Sequence, residues 1–201
     1  MNYADHVKRL TLAEKRLVKH INDHWTREQA LAELKSHLQV AIEVELATIP
    51  IYLFTYYSIN RTPTGFPDTS LSQFADRAGA AIMSVAVEEM LHMSLSSNVL
   101  FSLGQMPQMY LHSPGPYPTN LPGHTKLGPD AKPLALPLSK LSVEQFWHFL
   151  EIEYPAASDA PPEGGAWKTI GQIYSYVRCI ICSEHMKDED FHQGETLRQI
   201  Q

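Results

Sequence analysis

The sequence predicts an all-α fold: a four-helix bundle of antiparallel helices, with a long proline-rich crossover between the second and third. Two observations carry that expectation. Four segments, roughly 28–60, 70–103, 143–154 and 170–190, show helical periodicity and are separated by stretches rich in helix breakers. Within them, acidic and histidine side chains fall on stripes that a bundle helix buries, where an unpaired charge is costly. Residues 1–201 are read as one domain, since 201 residues with 44% hydrophobic and 19% charged content can bury one sizeable core.

In the first segment, Leu31, Leu34, Leu38, Ile42, Ile49, Tyr52 and Tyr56 share a face at about 100° per residue, and Glu45 lies in the middle of it. Glu43, about 160° away, is expected to face water. Pro50 removes one helical hydrogen bond and leads us to expect a kink or π-bulge one turn from Glu45. The second segment places Glu89 with Ala78, Ile82, Val85, Met93, Leu100 and Leu103, with His92 about 60° round. Gly104 reads as its C′ cap.

The third segment opens with Ser142 and Gln145, a capping-box pattern, and stops before Pro155. Glu153 shares a side with Phe146, Phe149 and Leu150, whereas Glu151 points away. In the fourth segment no Glu-x-x-His occurs, and Gln172 and Glu184 are its competing polar positions. An antiparallel helix would pass Glu153 with its first turns, leaving Glu184 about 22 Å further on. Gln172 or Tyr176 is then the nearer group. Gln172 also stands at capping-box spacing from Thr169, so its amide has a backbone use as well.

Glu and His three residues apart reach one ion from adjacent turns. Di-iron and di-manganese bundles use single Glu residues from two helices and Glu-x-x-His from the other two. The expected metal ligands are therefore Glu45, Glu89, His92, Glu153 and Gln172, with Glu45, Glu89 and His92 carrying the chemistry. Iron, non-haem and mono- or dinuclear, is the expected cofactor. Manganese and zinc accept the same donors. Tyr52 and Tyr56 are expected to line the pocket.

Between Gly104 and Ser142 lie eight of the 14 prolines, a density that forbids regular helix. Tyr110, His112, Tyr117 and His124 suit either a lid or a structural wrap around the bundle. Cys179 and Cys182 form a C-x-x-C inside a helical stretch. Reduced buried thiols are the expected state, with a zinc site drawing on His185 and His192 as the alternative. The formal charge of −6 and the lack of a basic patch interleaved with aromatics argue against nucleic acid. Met1 to Trp25 is polar and does not read as a signal peptide, and no apolar run stands out as a membrane span. The expectation is a soluble, cytoplasmic protein that takes a small-molecule substrate, with no nucleic acid or membrane as partner and homo-oligomerisation left open.

Leu38 to Leu53 with Tyr56-Tyr57-Ser58-Ile59, then Glu88-Glu89-Met90-Leu91-His92-Met93 with Asn98, Leu103-Gly104 and Pro107, resemble the first two helices of the iminophenyl-pyruvate dimer synthase type of ferritin-like domain. Ile152-Glu153-Tyr154-Pro155 and Thr169-Ile170-Gly171-Gln172-Ile173-Tyr174 resemble its later segments. The resemblance implies a ferritin-like bundle and oxidative coupling of imines derived from aromatic amino acids in secondary metabolism. Two positions depart from the pattern: Gln172, where Glu is common, and Leu46, where His follows the first-helix Glu. The expected function is an oxidoreductase acting on a small, amino-acid-derived imine. A non-catalytic metal-binding or iron-handling protein is the alternative.

Overall fold

The computed structural model describes residues 9–61, 70–111, 114–125 and 132–194. Of the crossover residues named above, His112 lies outside them. Among the described residues there are five α-helices: α1 (Leu12–His24), α2 (Arg27–Tyr57), α3 (Ser70–Ser102), α4 (Val143–Ile152) and α5 (Ile170–Ile181).

The two long helices form the backbone of the bundle. Leu34, Leu38 and Ile42 share a core cluster with Leu100 and Leu103, while Ile51 and Tyr52 share another with Ile82 and Ala86, so α2 and α3 run antiparallel. Helix α5 lies against α2, with Val177 and Ile180 in the first cluster and Ile173 in the second. Phe149 and Ile152 bring α4 into the second cluster. Thr26 and Gln29 cap the start of α2 reciprocally, and α3 ends in a Schellman turn. There Gly104, at φ 79, donates to Phe101 and Gln105 donates to Leu100.

Several expectations are corrected. Helix α1 was not anticipated, although Thr11-Leu12-Ala13-Glu14 is a capping box whose two hydrogen bonds both form. The polar composition of this stretch hid the buried line of Glu14, Val18 and Ile21. The fourth bundle helix ends at Ile181 rather than near 190, because the backbone beyond it is bound by α1. Glu184 N–H donates to Asn22 Oδ1 at 2.9 Å, and the His185 ring meets the Ile21 carbonyl at 3.2 Å. The π-bulge at Pro50 does not form, and α2 stays α-helical through it. Hydroxyls serve two carbonyls in the turn before it: Thr48 donates to Glu45 O at 3.2 Å and Tyr117 to Ala47 O at 3.0 Å. At α4 only half of the capping box exists, since Gln145 N–H donates to Ser142 while its own amide is buried and turned inward.

The crossover carries a two-stranded antiparallel ribbon, β1 (Thr119–Thr125) and β2 (Pro133–Leu136), with Thr119 opposite Leu136. Leu121, Leu134 and Leu136 are buried in the second cluster, which makes the ribbon a structural wrap against α2 rather than a lid. His124 is buried edge-on against Trp167.

Helix α2 does pass a length-and-composition test for crossing a membrane, contrary to the sequence reading, but 61% of its most apolar window is buried inside the bundle, as in a core helix. Cys179 and Cys182 are buried thiols outside any disulfide, and burial raises both, that of Cys179 to about 12. The Cys179 thiol donates to the Glu14 carbonyl at 3.7 Å, and the His185 ring is spent on Ile21.

Candidate metal centre

Glu45 and Glu89 meet where the two apolar clusters adjoin. Antiparallel packing sets both at the same level, and the three-residue step to His92 brings its ring to the same spot. Donor atoms of the three all lie within 4.8 Å of one another, and among the described residues no other such group of His, Cys, Asp or Glu exists. His92 Nδ1 is 4.0 Å from Glu45 Oε1 and 3.7 Å from Glu89 Oε1. Two donors each about 2.1 Å from one ion stand at most about 4.2 Å apart, so these separations fit a shared cation.

The electrostatics ask for one. Glu45 is 0% exposed, and its Oε2 meets no partner. Burial, first of all, and then the adjacent Glu89 carboxylate push its acid up to about 10. Among the described residues no lysine or arginine forms a salt bridge with Glu45 or Glu89, and His92 faces both. A buried donor set of two carboxylates and an imidazole, one oxygen orphaned, fits a divalent cation by charge as well as by spacing.

Hydroxyls hold the carboxylates from outside. Thr48 donates to Glu89 Oε2 at 3.1 Å and Tyr174 to Glu45 Oε1 at 2.8 Å. Tyr52 donates to Glu153 Oε1 at 2.6 Å. Burial and the neighbouring carboxylates hold both phenols well above their ordinary range, so they remain donors. Glu153 is the C-cap of α4. It stands outside the tight group, yet near enough for Glu89 to help raise its acid after burial has done so.

Gln172 is not brought to the centre. Its Oε1 accepts from Lys168 N–H at 3.0 Å, and its Nε2 donates to the Pro161 carbonyl at 3.0 Å. The amide clamps the Pro-Gly break to the start of α5. It does not complete the anticipated box with Thr169, whose side chain caps no backbone N–H. Tyr176 is also elsewhere, packed at a tilt against His37 with ring centroids 4.6 Å apart. Glu43 is half-buried and accepts from Gln39 at 3.2 Å, outside the group, and Glu151 is likewise outside it. Tyr56 lies under the Arg61 guanidinium instead of at the centre.

The residue that sequence reasoning missed is Tyr174. Its signal was available: Ile170, Ile173, Tyr174, Val177 and Ile181 follow the i, i+3, i+4, i+7 stripe of α5, and Gln172 does not.

A cavity of about 200 Å³ opens beside the centre, lined by Tyr52, Ala81, Ile82, Val85, Phe146, Phe149, Leu150 and Glu153. Ile82 and Tyr52 are each seven residues from Glu89 and Glu45, so the cavity lies about 10 Å along the bundle axis from the centre.

A family model described as Ferritin-like matches residues 38–201, from the middle of α2 through α5 and beyond. The chain belongs to the ferritin-like family. No curated protein and no solved structure matches it. The ferritin-like match covers every residue of the Glu45–Glu89–His92 group and does not extend to the iminophenyl-pyruvate dimer synthase type. Within this ferritin-like bundle the group is suited to bind a metal.

Proposed function

We propose that the chain is a non-haem metal oxidoreductase, with iron as its metal, acting on a small amino-acid-derived imine. The observation that carries the reading is the buried Glu45 Oε2, without a hydrogen-bond partner among the described residues, in a group with Glu89 and His92, with an open apolar cavity further along the bundle. Manganese and zinc accept the same donors, and the redox activity of iron is what favours it here. The imine rests on the resemblance of the Glu45 and Glu89 helices to the iminophenyl-pyruvate dimer synthase type. A small-molecule substrate, a cytoplasmic location and no nucleic-acid or membrane partner belong to the same reading, supported by the formal charge of −6.

Glu45, Glu89 and His92 would hold the cation, which supplies one-electron and dioxygen chemistry when bound. The protein supplies the rest. Thr48 and Tyr174 orient the carboxylates, fixing a geometry that needs no rearrangement during reaction. Phe146, Phe149, Ile82 and Val85 line the open cavity and would seat an apolar group there. The Tyr52 hydroxyl holds a proton against Glu153 Oε1 at the cavity wall, within reach of a substrate's polar end.

Metal analysis of the full chain made in rich medium, then absorption spectra under air and after reduction, tests the reading. Bound iron whose spectrum responds to reduction is the expected result. A chain with no transition metal bound overturns it. An iron-storing protein would carry no substrate cavity and would assemble as a cage, so a solution mass of a small assembly goes against that competing reading.

A further inference from the structure

We propose that the centre takes one divalent cation per chain, with Tyr174 as the positioning residue that stands where a ligand from the fourth bundle helix would be needed for a second. The inference rests on the metal-binding reading above and deepens it.

Three hydroxyls have each claimed one carboxylate oxygen. Tyr174 donates to Glu45 Oε1, Thr48 to Glu89 Oε2 and Tyr52 to Glu153 Oε1. Bundle sites for two metals use a Glu from each of two helices and Glu-x-x-His from each of the other two. Here one histidine is present, and α5 brings a phenol to the level of Glu45 in place of a carboxylate. Gln172, the next polar side chain toward the start of α5, is turned away onto Lys168 and Pro161. Charge gives the same count. Glu45 and Glu89 neutralise one divalent ion, while among the described residues a second would have no carboxylate of that group left to it, and the nearby Glu153 is bonded to Tyr52. The Tyr174 phenol also bonds Ser96, so Glu45 is tied through it to α3 as well as α5. A donor held from two helices fixes the carboxylate's orientation.

The test is titration of the metal-free full chain with Mn(II), followed by calorimetry and by electron paramagnetic resonance. One ion per chain with the spectrum of an isolated ion is expected. Two ions, or the spectrum of an exchange-coupled pair, overturns this inference while leaving the metal reading standing. No binding at all overturns both. For the positioning role, Tyr174→Phe should keep the stoichiometry at one, weaken binding about tenfold and alter the Mn(II) spectrum. Gln172→Ala should change neither. A Tyr174→Phe chain that melts earlier yet binds Mn(II) with unchanged affinity and spectrum overturns the role assigned to Tyr174.

Discussion

Glu14 and Glu45 are both buried glutamates in helices of the same protein, and the bundle treats them oppositely. Glu14 Oε2 accepts the Thr11 N–H at 2.7 Å, and its Oε1 lies 3.6 Å from the Arg178 guanidinium. Both oxygens are answered by groups built into the chain. Asp190 follows the same pattern, since Arg27 grips it with two nitrogens and thereby holds its acid below the ordinary range. Glu45 has one phenol on one oxygen and, among the described residues, no hydrogen-bond partner on the other. A buried carboxylate with a resident cation is architecture, and one without it is a place for a cation that arrives from outside.

The sharpest way to break this contrast is substitution at the two layers. Glu45→Gln or Glu89→Gln should lower divalent-metal affinity at least about 100-fold and leave the helical circular dichroism spectrum intact, because removing one of two adjacent buried carboxylates relieves repulsion in the metal-free chain. Glu14→Ala should do the reverse: metal affinity stays, and stability falls by about 1–2 kcal/mol as the reciprocal half of the capping box and the Arg178 contact are lost. If Glu45→Gln unfolds the chain without changing its metal content, the two glutamates are alike after all.

Next in size is the ribbon. Gly123 has φ 71, and a Cβ there would stand 2.6 Å from Trp167 Nε1. Gly123→Ala is expected to cost about 1–3 kcal/mol in denaturant unfolding. A loss that small substitutions at Tyr110 also produce would mean that the crossover is not held at Trp167.

His124 supplies a pH dependence located away from the metal layer. Burial lowers its pKa from 6.5 to about 4, against a smaller opposing effect of the Lys168 backbone. Between those values the unfolded chain binds the proton and the folded chain does not, so stability falls as pH drops from about 6.5 toward about 4. His124→Gln should flatten that window in thermal melts recorded across it, and an unchanged slope refutes the assignment. Smallest is Gln172→Glu, which leaves metal content unchanged because the side chain faces Pro161 and Lys168.

What the sequence made legible follows the period of its helices. Glu45, Glu89 and His92 stood out because a charged group on an apolar stripe violates a regular pattern, and a 100° step locates it to within a fraction of a turn. Gln172 was chosen by its nearness to Glu153 along an assumed path, and the phase of α5, which puts Tyr174 inward, was the better guide. Helix α1 was overlooked because its buried line contains Glu14, whose partner Arg178 lies 164 residues away in sequence, and no periodicity within α1 reveals that pairing. The ribbon was equally hidden: proline density excludes helix without telling a lid from a wrap, and Leu121 and Leu134 decide it only through tertiary contact.

The hydrogen bonds of the metal layer span very different lengths of chain. Thr48 reaches Glu89 across 41 residues, Tyr117 reaches Ala47 across 70, Tyr52 reaches Glu153 across 101 and Tyr174 reaches Glu45 across 129. Helices α2 and α3 can pair as soon as both are synthesised, since loop closure over that distance is the least costly of the four. The phenol that fixes Glu45 does not exist until α5 has been made. Tyr174 follows the last of the three donors, His92, by 82 residues, from 92 to 174, so the donors precede in the chain the phenol that aligns Glu45. Order of assembly thus separates the bringing together of the donors from their alignment, and the second event belongs to the last helix.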